Sequence, residues 1–235
     1  MLGEFHPNFA TFLSNLANYY SYLGDYSKAV ELGTQAMEVL KRVLGESHPA
    51  YATSLNNLAG YYSVLGDYSK AVELGAQALE IQKKVLGESH PGYATSLDNL
   101  AGYYSNLGDY SKAVELGTQA FEIRKRVVGE FHPDYATSLS SLAGYYSNLG
   151  DYSKAAELGT QAKEVLKRVF GEFHPNYATS LSNLAGYYSV LGDYFKAVEL
   201  GAQALEVFKR VLGESHPAYA TSLNNRAQDY SPLGD

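Results

Sequence analysis

Apolar residues in the stretch 49–65 recur with the period of an α-helix. One face collects the side chains at positions i, i+3, i+4 and i+7: Leu55, Leu58, Ala59 and Tyr62. Pro49 suits the first helical position, because the N–H that proline lacks has no partner within the helix there. Gly66 can end the helix, since glycine adopts the left-handed conformation at little cost. The pattern therefore predicts a helix near 49–65.

A second helix is predicted near 68–86, directly after this glycine. Asp67 can accept hydrogen bonds from the free N–H groups of its first turn, and Gly87 can end it. Its apolar residues form two stripes, Ala71-Leu74-Ala78-Ile81-Val85 and Val72-Leu79-Leu86. Two stripes indicate two packing partners, which we expect to be the preceding helix and the first helix of the following unit.

This two-helix unit recurs along the chain with a period of 42 residues. The period is visible in the six His-Pro pairs, whose histidines are His6, His48, His90, His132, His174 and His216. A unit this short cannot bury its own apolar face and must stack on its neighbours. We therefore predict an all-α solenoid of helix-turn-helix repeats that forms one domain over residues 1–235. Its repeats would be 7–48, 49–90, 91–132, 133–174 and 175–216, with a half repeat or capping helix at 217–235.

The repeated histidines have two interpretations. A tetrahedral zinc site requires several ligands within about 2.1 Å of one ion, whereas these histidines are a whole repeat apart. The alternative is that each histidine, such as His48 before Pro49, caps the first helix of its repeat. The spacing favours the cap, and no metal is predicted.

Glycine recurs in the middle of the second helix, at Gly33, Gly75, Gly117, Gly159 and Gly201. Alanine would favour the helix by about 1 kcal/mol there, so helix propensity does not explain these glycines. We predict that a large ring from a neighbouring helix, of the Tyr61 or Tyr62 type, occupies the space. Gly75→Ala or Gly75→Leu should then lower the melting temperature.

The residues of each unit resemble the tetratricopeptide repeat (TPR). The resemblance rests on Leu58-Ala59 with Tyr62, on Gly66-Asp67-Tyr68, on Ala71 and on Ala78-Leu79. The 42-residue length and the Leu-Gly-Glu-Ser-His-Pro connector are similar to the repeats of kinesin light chain. The resemblance implies a right-handed superhelix whose concave wall, lined by first helices, binds peptides or protein segments.

The resemblance also implies which residues contact a ligand. TPR members that bind a peptide carboxylate hold it with Lys and Arg on the first helices, and those helices carry almost no cations here. The asparagine with which the family often contacts a peptide backbone is kept at Asn15, Asn57, Asn99, Asn183 and Asn225, with Ser141 as the exception. We call these six residues the asparagine row.

The predicted groove is wider than this row and includes Asp98, the one acid at a position that elsewhere holds Ser or Asn. The full set is Asn15, Asn56, Asn57, Asp98, Asn99, Asn106, Ser140, Ser141, Asn148, Ser182 and Asn183. The alternative is that these side chains only solvate the groove or bond to adjacent helices.

The two ends of the array differ. The last copy stops after its first helix and becomes polar, with Arg226, Gln228 and Asp229 where the second unit has Leu58, Gly60 and Tyr61. Together with Pro232, which ends the helix early, this predicts a solvating cap that lies on the preceding second helix. The N-terminal end instead gains Phe5, Phe9 and Phe12. Three explanations stay open for this interface candidate: an excised fragment of a longer array, a dimer through the N-terminal faces, or burial of Phe12 in the first repeat.

Composition and charge exclude several functions. The 235 residues include no cysteine and carry a net charge of −7, which argues against thiol chemistry, nucleic acid and anionic membranes as the main targets. Base stacking on the many tyrosines would need a cationic track, but Lys70 and Lys83 lie among Glu73 and Glu80. No apolar run is long enough to span a membrane.

We therefore predict a non-enzymatic protein-interaction scaffold without cofactor, in the reducing cytoplasm. Acidic residues repeat with the array and do not cluster, and the chain has no Gly-rich phosphate loop. Two alternatives remain. One is a structural self-assembly module, either a homodimer or a stacked array, and the other is an engineered or excised repeat array with no partner of its own.

Overall fold

The structure is a computed structural model that describes the backbone of residues 6–230 and the side chains of residues 6–224. Within these residues the chain forms five consecutive pairs of α-helices, an eleventh α-helix and no strand, which confirms the predicted all-α class. The helices are α1 (Pro7–Tyr22), α2 (Tyr26–Leu44), α3 (Pro49–Val64), α4 (Tyr68–Leu86), α5 (Pro91–Leu107), α6 (Tyr110–Val127), α7 (Pro133–Leu149), α8 (Tyr152–Phe170), α9 (Pro175–Val190), α10 (Tyr194–Leu212) and α11 (Pro217–Tyr230).

The chain divides into two compact units, Met1–Ile123 and Arg124–Asp235, and the boundary falls within α6. In the first unit α2 packs on α1 and α3, and α4 packs on α3 and α5. In the second unit α8 packs on α7 and α9, and α10 packs on α9 and α11. Each of these second helices contacts two first helices, which confirms the interpretation of the two apolar stripes. The single domain over residues 1–235 stays a prediction.

The first helices begin at histidine caps, as predicted. His48 Nδ1 accepts a hydrogen bond from the backbone N–H of Ala50 at 3.1 Å. The same bond, at 3.0–3.1 Å, is made by the other members of the series: His6, His90, His132, His174 and His216. Because Nδ1 is the acceptor, each imidazole carries its proton on Nε2 in this arrangement.

The turn within each repeat is set by the Gly-Asp pair. Gly66 has a φ of +85°, a left-handed conformation that residues with a Cβ atom rarely adopt. This turn allows the N–H of Asp67 to donate back to the carbonyl of Tyr62 at 3.0 Å. The Asp67 carboxylate then accepts a hydrogen bond from the N–H of Lys70 at 3.0 Å and caps α4.

The core lies between the helices of successive pairs. Leu55 and Leu58 on α3 are 1% and 3% exposed, and the small Ala71 and Ala78 on α4 allow close approach of the backbones. The predicted stripes do not stay buried to the end of α4, because Val85 is 44% exposed. The reason is length, since α4 has 19 residues and α3 has 16.

The recurrent glycine of the second helix faces a tyrosine ring of the next repeat, which confirms the predicted ring beside it. A Cβ atom on Gly75 would lie 3.2 Å from Cδ2 and Cε2 of Tyr103 and 3.3 Å from Cδ1 of Leu100. The same approach is found at two further junctions, Gly33 with Tyr61 and Gly159 with Tyr187. The ring belongs to the first tyrosine of each Tyr-Tyr pair, because Tyr61 is buried whereas Tyr62 is half-buried.

Candidate functional site

The asparagine row lies on the first helices, with its side chains half-buried or exposed. Asn57 on α3 and Asn99 on α5 belong to the first unit, and Asn183 on α9 belongs to the second. Within the part of the chain that the structure describes, these three carboxamides make no hydrogen bond. The side chain of Asn225 lies outside that part. The described members of the row are therefore free to donate to and accept from a ligand.

Asn56, one position earlier, bonds to an adjacent helix. Its Nδ2 donates to Ser96 Oγ on α5 at 2.7 Å, and Ser96 Oγ donates to Gln82 Oε1 on α4 at 2.6 Å. Ser96 is only 1% exposed, so this chain of bonds fills the gap between three helices. Contact of Asn56 with a ligand stays a prediction, and the structure adds a bracing contact that the sequence left as the alternative.

The buried serine at the Ser96 position has a different hydrogen-bond partner when the residue at the Gln82 position of the preceding repeat changes. Arg124 occupies this position one repeat later, is buried, and donates from Nη1 to Ser138 Oγ at 2.6 Å. Leu166 occupies it in α8 and offers no polar group. There Ser180 turns back to its own helix and donates to the carbonyl of Tyr177 at 2.7 Å.

A polar pocket of about 230 Å³ opens between α7 and α9 in the second unit. Its floor contains the buried Ser180 and Leu166, and its rim is more exposed. Ser140, which replaces Asn56, is too short to cross the gap and donates to the carbonyl of Ala136 at 3.0 Å. The lining residues carry no charge: Thr137, Ser140, Ser141, Leu166, Asn176, Thr179, Ser180 and Asn183. The pocket thus brings together three of the predicted groove residues, Ser140, Ser141 and Asn183.

The remaining predicted residues lie at separate points. Asn15 is exposed on α1, and Asp98 is half-buried on α5 at the register position of Asn56. Asn106 Nδ2 donates to Ser63 Oγ at 3.5 Å and joins α5 to α3. Asn148 is exposed near the end of α7, and Ser182 is half-buried on α9.

Charge is concentrated on the second helices. Lys70 pairs with Glu73 at 2.9 Å on α4, and this hydrogen bond raises the pKa of Lys70. Such exposed pairs contribute little stability, but they keep the outer faces of the second helices polar. By contrast, the sequences of α1, α3 and α9 contain no charged residue. A ligand of α1, α3 or α9 therefore meets a neutral surface, whereas α5 carries Asp98 and α7 carries Asp134.

The outer face of α1 is exposed and aromatic. Phe12 is 59% and Tyr19 is 63% exposed, whereas Ser54 and Tyr61, at the same register positions of α3, are 5% and 7% exposed. Burial of Phe12 in the first repeat is therefore wrong, because this position points away from α2. Phe9 is half-buried, and Phe5 lies outside the described residues.

At the other end α11 packs on α10, as predicted for the capping helix. The side chains of Arg226, Gln228 and Asp229 and the whole of Pro232 lie outside the described part of the chain, so their solvating function stays a prediction. Among residues 6–230 no helix is long and apolar enough to cross a membrane. The described side chains, those of residues 6–224, include no group of three or more His, Asp or Glu that could hold a metal ion.

Comparison with known proteins identifies the family. The tetratricopeptide repeat profile matches residues 8–84, 62–126, 118–168, 134–190 and 178–235. No curated protein matches the sequence. The nearly identical TPR-like repeats of a kinesin light chain candidate from Podosopora anserina are 31% identical, with a TM-score of 0.77 over 87% of this chain and 97% of that chain.

More distant structures share the fold alone. BtubC from P. vanneervenii is 22% identical with a TM-score of 0.75, over 89% of this chain and 85% of that chain. A Rap protein solved with competence and sporulation factor is 17% identical with a TM-score of 0.69, over 95% of this chain and 70% of that chain. The chain therefore belongs to the tetratricopeptide repeat family and is similar to its kinesin-light-chain-like members.

Proposed function

We propose that this protein is a non-enzymatic scaffold that binds an extended peptide segment through the asparagine row. TPR proteins generally serve as protein-interaction scaffolds, and the related fold of the Rap protein was solved with a bound factor. The observation that carries the proposal is the repeated carboxamide without an internal hydrogen bond, which is found on the neighbouring first helices α3 and α5 of the first unit and again on α9 of the second. A carboxamide can donate to a peptide carbonyl and accept from a peptide N–H at the same time. The absence of cysteine suits the reducing cytoplasm that we propose as its location.

The neutral surface favours recognition of the peptide backbone over recognition of charge. The α7–α9 pocket is lined without an ionisable group, and the first helices α3 and α9 carry no charge. A carboxylate brought there would lose water without gaining a cationic partner. The expected ligand is therefore an internal, weakly charged segment of a polypeptide.

A peptide-display selection against the purified chain tests this proposal. Enriched sequences should lose binding when Asn57, Asn99 and Asn183 are changed to alanine, because the backbone would lose its hydrogen-bond partners. The matched control removes the same number of carboxamides from second helices, in Gln77→Ala, Gln119→Ala and Gln161→Ala. Equal binding by the wild type and the asparagine triple variant would show that the row is not the peptide site.

A second candidate function, self-association, rests on the outer face of α1. In α3 the corresponding face is covered by α2, and its Tyr61 ring packs on Gly33. We propose that a second copy covers Phe12 and Tyr19 in a homodimer. The sequence of α1 is uncharged, so two such faces can meet without repulsion even though the whole chain carries −7.

Sedimentation over a range of concentrations tests the homodimer. Phe12→Ser restores the residue of the inner repeats and should shift the protein to monomer. Phe195→Ser is the matched control, because Phe195 is 80% exposed and replaces the serine of other repeats on a different helix. A wild-type protein that is monomeric at every concentration would eliminate this candidate.

A further inference from the structure

The α7–α9 pocket has a closed counterpart in the first unit, and the comparison shows what chemistry fits it. Residues 84 positions apart correspond, so Ser140 stands for Asn56 and Ser180 stands for Ser96. Between α3 and α5 the carboxamide of Asn56 lies in the gap and donates to Ser96 Oγ at 2.7 Å. Between α7 and α9 none of the described side chains occupies that place. The gap between α3 and α5 is thus filled by a carboxamide, whereas the corresponding gap between α7 and α9 is open.

Five hydroxyl groups line the open pocket, and all but that of Ser141 are polarised in one direction. Each of the other four donates its proton to a carbonyl of its own helix, so that its lone pairs remain for a ligand. The four bonds are Thr137 Oγ1 to Pro133 O at 3.1 Å, Ser140 Oγ to Ala136 O at 3.0 Å, Thr179 Oγ1 to Pro175 O at 3.0 Å and Ser180 Oγ to Tyr177 O at 2.7 Å. The pocket therefore selects a group that donates hydrogen bonds.

The donor must also be uncharged. No carboxylate lines the pocket, and an ammonium or guanidinium group that enters it would lose hydration without a counter-charge. A primary carboxamide offers two N–H donors without charge, and its oxygen can accept from the amide of Asn176 or Asn183 at the rim.

We propose that the pocket between α7 and α9 binds the side-chain carboxamide of a glutamine or asparagine in a polypeptide ligand. This inference rests on the proposed peptide-binding function and adds a side-chain preference to it. The ligand's NH2 group takes the place that Asn56 Nδ2 takes between α3 and α5, and it donates to Ser180 Oγ. Leu166, which is 5% exposed, contacts the aliphatic part of the side chain.

The test uses N-acetyl-glutamine-N′-methylamide as the probe, titrated into the isotope-labelled full chain and followed by NMR. A ligand of this size is expected to bind with a dissociation constant of the order of 1 mM. Its glutamate and methionine analogues share both backbone amides and differ only in the side chain. The proposal expects shifts at Ser140, Ser180 and Asn183 with the glutamine probe and weaker shifts with both analogues.

Two variants locate the binding. Ser140→Asn supplies an internal carboxamide that can reach Ser180. It should weaken the binding of the probe by about tenfold or more, while the circular dichroism spectrum of the helices is unchanged. The double variant Asn56→Ser with Gln82→Leu recreates the open set between α3 and α5 and should create an equivalent site there, with new shifts at Ser96 and Asn99. The second variant keeps the proposal testable if the first does not fold.

The outcomes separate this inference from the proposed function. Equal shifts with the glutamine and methionine probes, or an unchanged affinity in Ser140→Asn, would overturn the carboxamide site. If selected peptides still depend on the asparagine row while Ser140→Asn has no effect on the probe, the peptide groove stands and the pocket inference fails. If neither the asparagine triple variant nor Ser140→Asn has an effect, both fail.

Discussion

The glycine in the middle of the second helix offers a prediction whose sign opposes helix propensity. Replacing Gly75 by alanine favours the helical backbone by about 1 kcal/mol when nothing obstructs the new methyl group. In this protein the ring of Tyr103 lies against that position. We therefore expect Gly75→Ala to lower the free energy of unfolding.

The size of the effect follows from the distances. The new Cβ would lie 3.2 Å from two ring carbons of Tyr103 and 3.3 Å from Cδ1 of Leu100, whereas carbon atoms pack best at about 3.5–4.0 Å. Tyr103 is 8% exposed and Leu100 is 3% exposed, so neither can move without disturbing its neighbours. Overpacking of this kind costs about 1–3 kcal/mol. After the propensity gain, the net destabilisation is up to about 2 kcal/mol.

Thermal and denaturant unfolding followed by circular dichroism measures this difference. Gly186→Ala on α9 is the matched control, because nothing lies within 4 Å of its Cβ position. It should raise the melting temperature by about 2–4 °C per kcal/mol of stability gained in a chain of this size. A rise for Gly75→Ala as large as that for Gly186→Ala would refute the steric argument. A Tyr103→Ala background adds a further check, since alanine at position 75 should become stabilising there.

Two further predictions concern the caps and the buried rings. His48→Ala should destabilise the protein by about 1 kcal/mol because the N–H of Ala50 loses its acceptor, whereas His48→Asn should retain most of the stability in the same unfolding assay. Burial raises the pKa of Tyr103 to about 12 from its usual value of 10.0; the stability that this shift represents is present below pH 10 and is lost as the pH rises towards 12. Tyr103→Phe should reduce the loss of stability between these pH values, as measured by denaturant unfolding at a series of pH values.

Most of the fold could be predicted from the sequence because the decisive interactions are local. The cap by His48, the left-handed Gly66 and the cap by Asp67 each involve residues within a few positions of one another. The two stripes of the second helix then require two neighbours, and the 42-residue period supplies them in order. A local rule repeated in every unit leaves little freedom for another architecture.

The contacts across repeats were harder to predict, because they depend on how the helices rotate against one another. Tyr61 and Tyr62 are adjacent in the sequence and point about 100° apart on a helix, so either could have faced the glycine. The structure selects Tyr61, whose hydroxyl also donates to Asn18 Oδ1 at 2.7 Å on the previous first helix. The periodicity could place a ring near Gly33 but could not choose between the two.

The hydrogen bond between Asn56 and Ser96 corresponds to a pattern in the sequence that can be interpreted only with the structure. The second repeat carries Asn56 together with Gln82, whereas the fourth carries Ser140 together with Leu166. The paired change makes sense once Ser96 is seen to bridge Asn56 and Gln82. Alignment of the repeats with one another, and not of the chain with other proteins, would have revealed it.

Because the repeats are nearly identical, differences in ligand specificity between them depend on these few positions. Two junctions built on equivalent helix pairs differ in whether a carboxamide crosses the gap. The side chain loses two heavy atoms from Asn56 to Ser140, and this change accompanies a pocket of about 230 Å³ between α7 and α9. A backbone change of comparable effect would disturb the stacking on both sides, because each repeat contacts its neighbours through the same faces. Side-chain exchange at positions that face the gap alters the surface without this cost. In such an array, ligand preference can therefore vary from one junction to the next while the fold stays constant.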